Sequence, residues 1–294
     1  MIYSRPVSEL VQARYSCRSY RSAPLPEEAR GKLQGLFSSL TAGPFGTPLR
    51  LLLLASSDSE GENLRGLGTY GVIRNPAGFL VGVVSKGEMD MEDVGYALEQ
   101  SVLLATDLDL GSCWLGGTYR RSNFAARAEL RDGETMPAVV ALGLIADRVR
   151  VVDRIFRAGA GSVSRRPWEE LFFEGRPGVP LSRESAGEFA AVLDMVRRAP
   201  SASNKQPWRV VRSGDAWHFI LQRTPGYRRG TSMAELPDLQ RVDMGIAMCH
   251  FELTALQLGY RGRWDVSPAA IPAGGEGAEY RASWTAVSRT AKQD

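Results

Sequence analysis

Asp93-Val94-Gly95-Tyr96-Ala97 and Asp243-Met244-Gly245-Ile246-Ala247 share the pattern D-x-G-x-A, each inside a long apolar stretch. In the first stretch, Asp93 to Leu110, the residues Val94, Ala97, Leu98, Ser101, Val102, Leu104, Ala105 and Leu108 recur at helical spacing on one broad face. That spacing predicts a largely buried helix, with Gly111 as its stop. The second word predicts a matching helix from about Asp243 to Leu258. Each helix closes with L-x-L-G, at Leu108 to Gly111 and at Leu256 to Gly259.

The elements around the two helices repeat as well. Val7 to Arg14 and Glu27 to Leu40 read as helices, Leu49 to Ala55 and Phe79 to Val84 as buried strands, and Ala138 to Ile145 as a central strand. Later, Glu188 to Arg198 reads as a helix, followed by strands at Trp208 to Val211 and Trp217 to Gln222. Pro48-Leu49-Arg50-Leu51 opens the first strand of one half as Pro207-Trp208-Arg209-Val210 does in the other. The words are short, and chance likeness between two helices is the plainer reading; because element order agrees as well, the expectation is an internally duplicated α+β protein, with halves at 1–163 and 164–294.

Composition narrows the function. The 294 residues are 44% hydrophobic, enough for a large core, and Lys+Arg 36 against Asp+Glu 33 is too balanced for a nucleic-acid partner. Cys17, Cys113 and Cys249 form no CxxC, which argues against a zinc site or a disulfide framework. His218 and His250 sit in no metal-binding or triad spacing, so the expectation is no metal and no catalytic side chain. The chemistry then falls to a cofactor. Met1 to Pro6 lacks the apolar stretch of a signal peptide, and no run reaches the roughly 20 apolar residues of a membrane span, so a cytoplasmic protein with no membrane partner is expected.

Four words carry candidate chemistry, each with a plainer reading beside it. Arg14, Ser16 and Arg18 set two guanidinium groups and a hydroxyl within one short segment, which suits a phosphate or equally a solvated polar turn. Pro200-Ser201-Ala202-Ser203-Asn204-Lys205-Gln206 offers donors and acceptors ahead of Pro207-Trp208, fitting the polar edge of a flat ring or an ordinary Ser/Asn turn. Gly111-Ser112-Cys113-Trp114-Leu115-Gly116-Gly117-Thr118 puts small residues where backbone can approach a ring, or simply ends a helix. Arg165-Arg166-Pro167 precedes an apparent helix start, where a surface role is the plainer reading. Within these words Cys17 and Cys113 read as packed small residues, and Tyr96, Trp114 and Tyr119 as core or as pocket lining.

Taken together, the words resemble the nitroreductase family of FMN proteins. Arg14-x-Ser16-x-Arg18 is similar to its phosphate-binding word, Ala199 to Trp208 to its Pro-Ser loop, Gly111 to Gly117 to the loop passing the flavin N5, and Arg165 to a late basic residue that returns to the phosphate. Whether Arg165 or Arg166 fills that last role stays open. The order departs from the family's: the Pro-Ser loop falls late, and its early place is held by Ala42 to Pro48, which keeps a proline but lacks the Asn and Gln. The family builds its site across a homodimer, so the resemblance implies a single-chain pseudo-dimer, like the tandem branch called putative TM nitroreductases. It implies a nitroreductase-like mixed sheet with surrounding helices, duplicated, in which a monomer can be complete.

The resemblance further implies one FMN per chain. The first half would supply Arg14, Ser16, Arg18, Gly116 and Gly117, with the Gly116 backbone N–H near N5, and the second would supply Pro200, Ser201, Asn204 and Gln206. The complementary site is expected to be lost, because the second half lacks the Arg-x-Ser-x-Arg word and its Leu258 to Gly262 segment is shorter. The implied activity passes hydride from NADH or NADPH through FMN to a small electron-poor acceptor such as a nitroaromatic or a quinone. Two alternatives stand beside it: an FMN-binding module for storage, sensing or partner interaction without turnover, and an enzyme of the same fold with other flavin chemistry.

Overall fold

The structure is a computed structural model that describes residues 2–55, 64, 67–146, 164–227, 237–267 and 274–289. The first half contains α1 (Val7–Ala13), α2 (Glu27–Ser39), β1 (Leu49–Ala55), β2 (Gly78–Ser85), α3 (Asp90–Asp107), β3 (Leu110–Leu115), α4 (Arg121–Arg127), β4 (Glu134–Thr135) and β5 (Val139–Leu144). The second contains β6 (Phe172–Glu174), α5 (Arg183–Ala186), α6 (Phe189–Arg198), β7 (Trp208–Ser213), β8 (Ala216–Gln222), α7 (Leu239–Gln257), β9 (Tyr260–Asp265) and β10 (Ala278–Arg289).

The duplication is visible in the sheets. One sheet runs β1-β2-β5-β3, with β4 beside β2, and the other runs β7-β8-β10-β9 in the equivalent order. Both cores are antiparallel; the mixed character comes from β6, which adds parallel to β7, Phe172 opposite Val210. The chain is therefore α+β with two sheets, as its sequence predicts.

The D-x-G-x-A words lie where α3 crosses α7. A methyl group on Gly95 would fall 2.3 Å from the Val242 carbonyl oxygen, and one on Gly245 would fall 2.0 Å from that of Glu92. Only glycine allows that approach, and the reciprocity of the two contacts marks a pseudo-two-fold axis. The aspartates of the words have a separate task. Asp93 accepts from the backbone N–H groups of Phe45 (2.9 Å) and Thr47 (2.8 Å), and Asp243 accepts from that of Ala202 (2.9 Å). Asp93 thereby ties the loop before β1, and Asp243 the loop before β7, to the central helix of its own half.

Two expectations need correction. The first long helix ends at Asp107 rather than running to Gly111, and Leu110–Leu115 is a strand. Asp109 takes the left-handed turn (φ 57°), a conformation aspartate tolerates, at the place where Gly259 (φ 86°) turns the second half. The halves thus align Leu108 with Leu258 and Trp114 with Trp264, so the L-x-L-G words are not equivalent. Likewise, Pro167 opens a single 3-10 turn (Trp168–Glu170) that leads into β6, not a helix.

Strand β2 shows how the halves pack. Leu80 and Val84 join the central core with α3, whereas Phe79, Val81 and Val83 face a second cluster with Phe124 of α4. This is the two-residue alternation of a sheet buried on both sides. The central core continues through α7 to Trp208, Phe219 and Trp284, so the two halves share it. Among the described residues no helix is long and apolar enough to cross a membrane.

Candidate functional site

Arg14 closes α1 in an extended conformation (φ −63°, ψ 131°), and the chain continues along the edge of β3. Ser16 bridges to Ser112 in parallel, and the Cys17 N–H donates to the Ser112 carbonyl at 2.8 Å. Side chains alternate along extended backbone. Arg14, Ser16 and Arg18 accordingly all line one cleft, while Cys17 packs in the core. The Arg-x-Ser-x-Arg spacing is the signature of this strand-like edge.

The cleft, of about 1130 Å³, has a wall from each half. The first half brings those three residues with Trp114, Gly116, Gly117 and Thr118. The second half brings the end of α6, the loop with Pro200, Ser201 and Asn204, and the Leu239, Val242 and Ile246 face of α7. Arg165 closes one corner. A methyl on Gly116 would strike Leu239 at 2.5 Å, so this glycine lets the halves approach, whereas one on Gly117 would meet no protein atom within 4 Å.

The Pro-Ser loop carries local backbone strain. Ser203, Asn204 and Gln206 have φ of 50°, 54° and 50°. Such conformations cost about 1–3 kcal/mol each and persist where surrounding bonds over-determine them. Here the Ser201 Oγ accepts from the Gln206 N–H (2.9 Å), and the Gln206 Nε2 donates to the Asn204 carbonyl (3.1 Å). Asp243 anchors the loop from below, and burial pushes its carboxyl well up, with the Ala202 N–H pulling the other way.

The chemistry of the cleft is cationic. Arg14, Arg18, Arg165, Arg197 and Arg198 line it, against Asp194 and Asp243. Burial, then the charges of Arg14, Arg198 and Arg197, pull the Arg165 guanidinium down to about 10, which leaves it charged at neutral pH. Asn204 holds this arginine in place: its Oδ1 accepts from Arg165 Nη1 (3.2 Å) and its Nδ2 donates to the Ser164 carbonyl (3.0 Å). The Arg14 side chain is 5% exposed; its Nε lies 3.9 Å from the buried Glu99 Oε1, and among the described residues its Nε and Nη1 have no hydrogen-bond partner. A buried guanidinium with free donors beside other cations fits an anionic group such as a phosphate.

Of the residues singled out from sequence, Arg14, Ser16, Arg18, Gly116, Gly117, Arg165, Pro200, Ser201 and Asn204 come together here. Gln206 does not. Its side chain is buried behind the loop, where its Oε1 accepts from the Arg166 N–H (2.9 Å) and its amide serves the loop backbone. Arg166 pairs with Glu170 (2.9 Å) outside the cleft, so Arg165 is the one that faces it. Trp114 lines the cleft, whereas Tyr96 and Tyr119 belong to the core. Arg197, Arg198 and Tyr227 were not foreseen. The pair Arg197-Arg198, in the last turn of a helix running into the Pro-Ser loop, was the available signal.

Across the pseudo-two-fold the equivalent region is packed with side chains. Phe45, from the loop matching Pro200 to Gln206, meets Trp264 edge-on at 5.8 Å. Glu92, opposite to Val242 in the symmetry, is fully buried and pairs with Arg241 and Arg281 at 2.7 Å each. Among the described residues no group of His, Cys, Asp and Glu is arranged to hold a metal, and the three cysteines are buried and form no disulfide with one another.

One solved structure shares this fold over nearly the whole chain. A solved structure from Thermotoga maritima MSB8, described as a putative nitroreductase, superposes with a TM-score of 0.60 at 16% identity, covering 96% of this chain and 94% of that one. A nitroreductase family protein from Clostridium novyi NT (TM-score 0.40, 18% identity) covers 49% of this chain and 87% of its own. An FMN-dependent nitroreductase from Clostridium difficile R20291 (TM-score 0.36, 14% identity) covers 48% and 88%. No curated protein matches the sequence. The family model described as "Putative TM nitroreductase" matches residues 6–255, a span that starts at the cap of α1 and ends in the last turn of α7. Both walls of the cleft lie inside that span, and the chain belongs to this family.

Proposed function

We propose that the cleft binds FMN and that the protein is an FMN-dependent oxidoreductase taking electrons from NADH or NADPH. The observation that carries this reading is the buried Arg14 guanidinium, whose Nε and Nη1 have no hydrogen-bond partner among the described residues, in a cationic cleft shared by both halves. Family membership supports it.

In this reading Arg14, Ser16, Arg18 and Arg165 hold the phosphate. Pro200 and Ser201 would border the ring, Asn204 would aim Arg165, and the backbone of Gly116 and Gly117 would lie against the ring, with the Gly116 N–H as the donor that favours negative charge on it. When bound, FMN supplies two-electron transfer: NAD(P)H is oxidised by loss of hydride, and an electron-poor acceptor such as a quinone is reduced to the hydroquinone with protons from solvent. The protein's part is to orient and desolvate. The apolar side chains of Leu239, Val242 and Ile246 exclude water from one wall, and preorganised backbone dipoles favour negative charge without needing a side-chain acid. Room for a planar acceptor comes from the size of the cleft.

The test is the absorbance of purified protein in the flavin region, with released cofactor quantified per chain, followed by anaerobic NADH and then NADPH. Near-stoichiometric FMN that bleaches, and recovers with an added quinone, is the expected outcome. Bound FMN that neither donor reduces would favour a binding module without turnover, and failure to bind FMN after reconstitution would sink the reading.

A further inference from the structure

Beneath the cleft runs a buried set of hydrogen bonds that the proposed function leaves unused. Glu99 of α3 and His250 of α7 are both 0% exposed and meet across the seam between the halves, with His250 Nε2 at 2.9 Å from Glu99 Oε1. The other ring nitrogen, Nδ1, lies 2.9 Å from the Met195 carbonyl oxygen. A carbonyl only accepts, so Nδ1 carries a hydrogen. A further hydrogen must then lie between Nε2 and Oε1, because two lone pairs would repel at that distance. Whichever atom carries it, the Glu99–His250 pair has no net charge.

The other contacts of Glu99 lead to the cleft. Its Oε2 accepts from Trp114 Nε1 at 2.8 Å, and its Oε1 is 3.9 Å from Arg14 Nε. Both Arg14 and Trp114 line the cleft. Tyr3 and Cys249 also face Glu99, and burial pushes both well up, so neither contributes charge. The second half supplies an internal comparison. Beneath Trp264, Glu252 accepts from Trp264 Nε1 (2.7 Å) and the Tyr96 hydroxyl (2.8 Å), two neutral donors, with no ion pair to a cation among the described residues. That tryptophan packs on Phe45. Among the described residues, an imidazole and a guanidinium face the buried glutamate only beneath Trp114, on the side of the pseudo-two-fold that carries the cleft.

We infer that His250 is a positioning residue for the anion end of the cleft: by sharing a proton with Glu99 it cancels the carboxylate charge and leaves Arg14 available to a phosphate-bearing ligand. This rests on the reading that the cleft binds FMN. Without the imidazole, Glu99 is a buried anion whose nearest cation is Arg14, and an uncompensated buried charge is costly enough to draw the guanidinium onto it. Arg14 is then spent on the protein and not on the ligand.

The experiment measures FMN and riboflavin affinity of the full-length protein by fluorescence quenching. His250→Asn should weaken FMN about tenfold or more and leave riboflavin, which lacks the phosphate, within about threefold. Glu99→Gln keeps the network neutral, since its amide donates to a bare Nε2 while its oxygen still accepts from Trp114, and should bind FMN like the wild type. Adding Glu99→Gln to His250→Asn should restore most of the lost affinity, which a purely structural role for His250 would not produce. Wild-type FMN affinity in His250→Asn, a tenfold loss in Glu99→Gln alone, or no recovery in the double variant would each overturn the inference. Should His250→Asn not fold, the Glu99→Gln result still decides it. Absence of FMN binding by the wild type would instead overturn the functional reading beneath it.

Discussion

Gly95 of α3 rests on the backbone carbonyl of Val242 in α7, and Gly245 rests in the same way on Glu92, each closer than any residue with a side chain allows. Because the obstacle is backbone, it cannot swing aside as a side chain would. Gly95→Ala must push the helices apart through the core the halves share. Overpacking alone costs typically 1–3 kcal/mol. We expect Gly95→Ala and Gly245→Ala each to destabilise by about 3 kcal/mol in urea unfolding, and to weaken cofactor binding, since the same crossing sets the distance between the cleft walls. A loss under about 1 kcal/mol for either would contradict the close approach.

Gly116 and Gly117 are neighbours with opposite predictions. A methyl at Gly116 collides with Leu239 of the other half, whereas one at Gly117 projects into open space with ordinary backbone angles. Gly117→Ala should leave the thermal midpoint within about 2 °C, because it disturbs no protein contact. It should still lower FMN affinity, since the space it occupies belongs to the cleft. Gly116→Ala should lower both. Equal FMN affinity in Gly117→Ala and wild type would remove Gly117 from the ring-binding surface.

The same residues show what the sequence could and could not disclose. The D-x-G-x-A repeat was legible because a helix crossing and a loop anchor both depend on residue type, so glycine and aspartate recur where the geometry recurs. Arg14, Ser16 and Arg18 were legible through their spacing. The register of the helix ends was not, since Asp109 performs in one half what Gly259 performs in the other, and a match by letter slid the alignment to L-x-L-G. Strands β9 and β10 were missed. In β9 exposed Arg261, Arg263 and Asp265 alternate with partly buried Tyr260, Gly262 and Trp264, a polar edge with little apolar signal. Gln206 was misplaced for a further reason: a loop of polar residues does not reveal which amides its own backbone consumes.

The pair Arg50–Glu134 ties β1 to the segment after α4 and yields a pH prediction. Arg50 donates to Glu134 Oε1 (3.0 Å) and Oε2 (2.8 Å), and to the carbonyls of Ala128 and Glu129. The hydrogen bond from Arg50 holds the Glu134 carboxyl down at about 2, from 4.5. A carboxyl lowered in the folded state stabilises above its unfolded value, and that contribution is lost as pH falls toward the folded one. Allowing for partial solvent screening, Glu134→Gln should cost about 1 kcal/mol near neutral pH. The gap to wild type should hold down to the unfolded value and then narrow as acid titrates the unfolded carboxylate. A pH-independent gap in denaturant titrations would refute the charge-assisted pair.

Arg165 and Asn204 supply the sharpest test of a site shared between halves. Asn204 lies in the half opposite Arg14, and its Oδ1 accepts from Arg165 Nη1 at 3.2 Å. If its effect on the ligand runs through that bond, removing it leaves Arg165 charged but poorly aimed. Asn204→Ala should then weaken FMN about tenfold, and Arg165→Ala should weaken it more, since the charge itself is gone. The double variant should bind no worse than Arg165→Ala alone, because residues acting through one contact do not add. Full additivity in the cycle would mean that Asn204 meets the flavin directly, at the ring edge where sequence reasoning first placed it. An unchanged affinity in Asn204→Ala would separate this side chain from the cofactor, and an unchanged affinity in Arg165→Ala as well would remove both second-half groups from the phosphate end of the site.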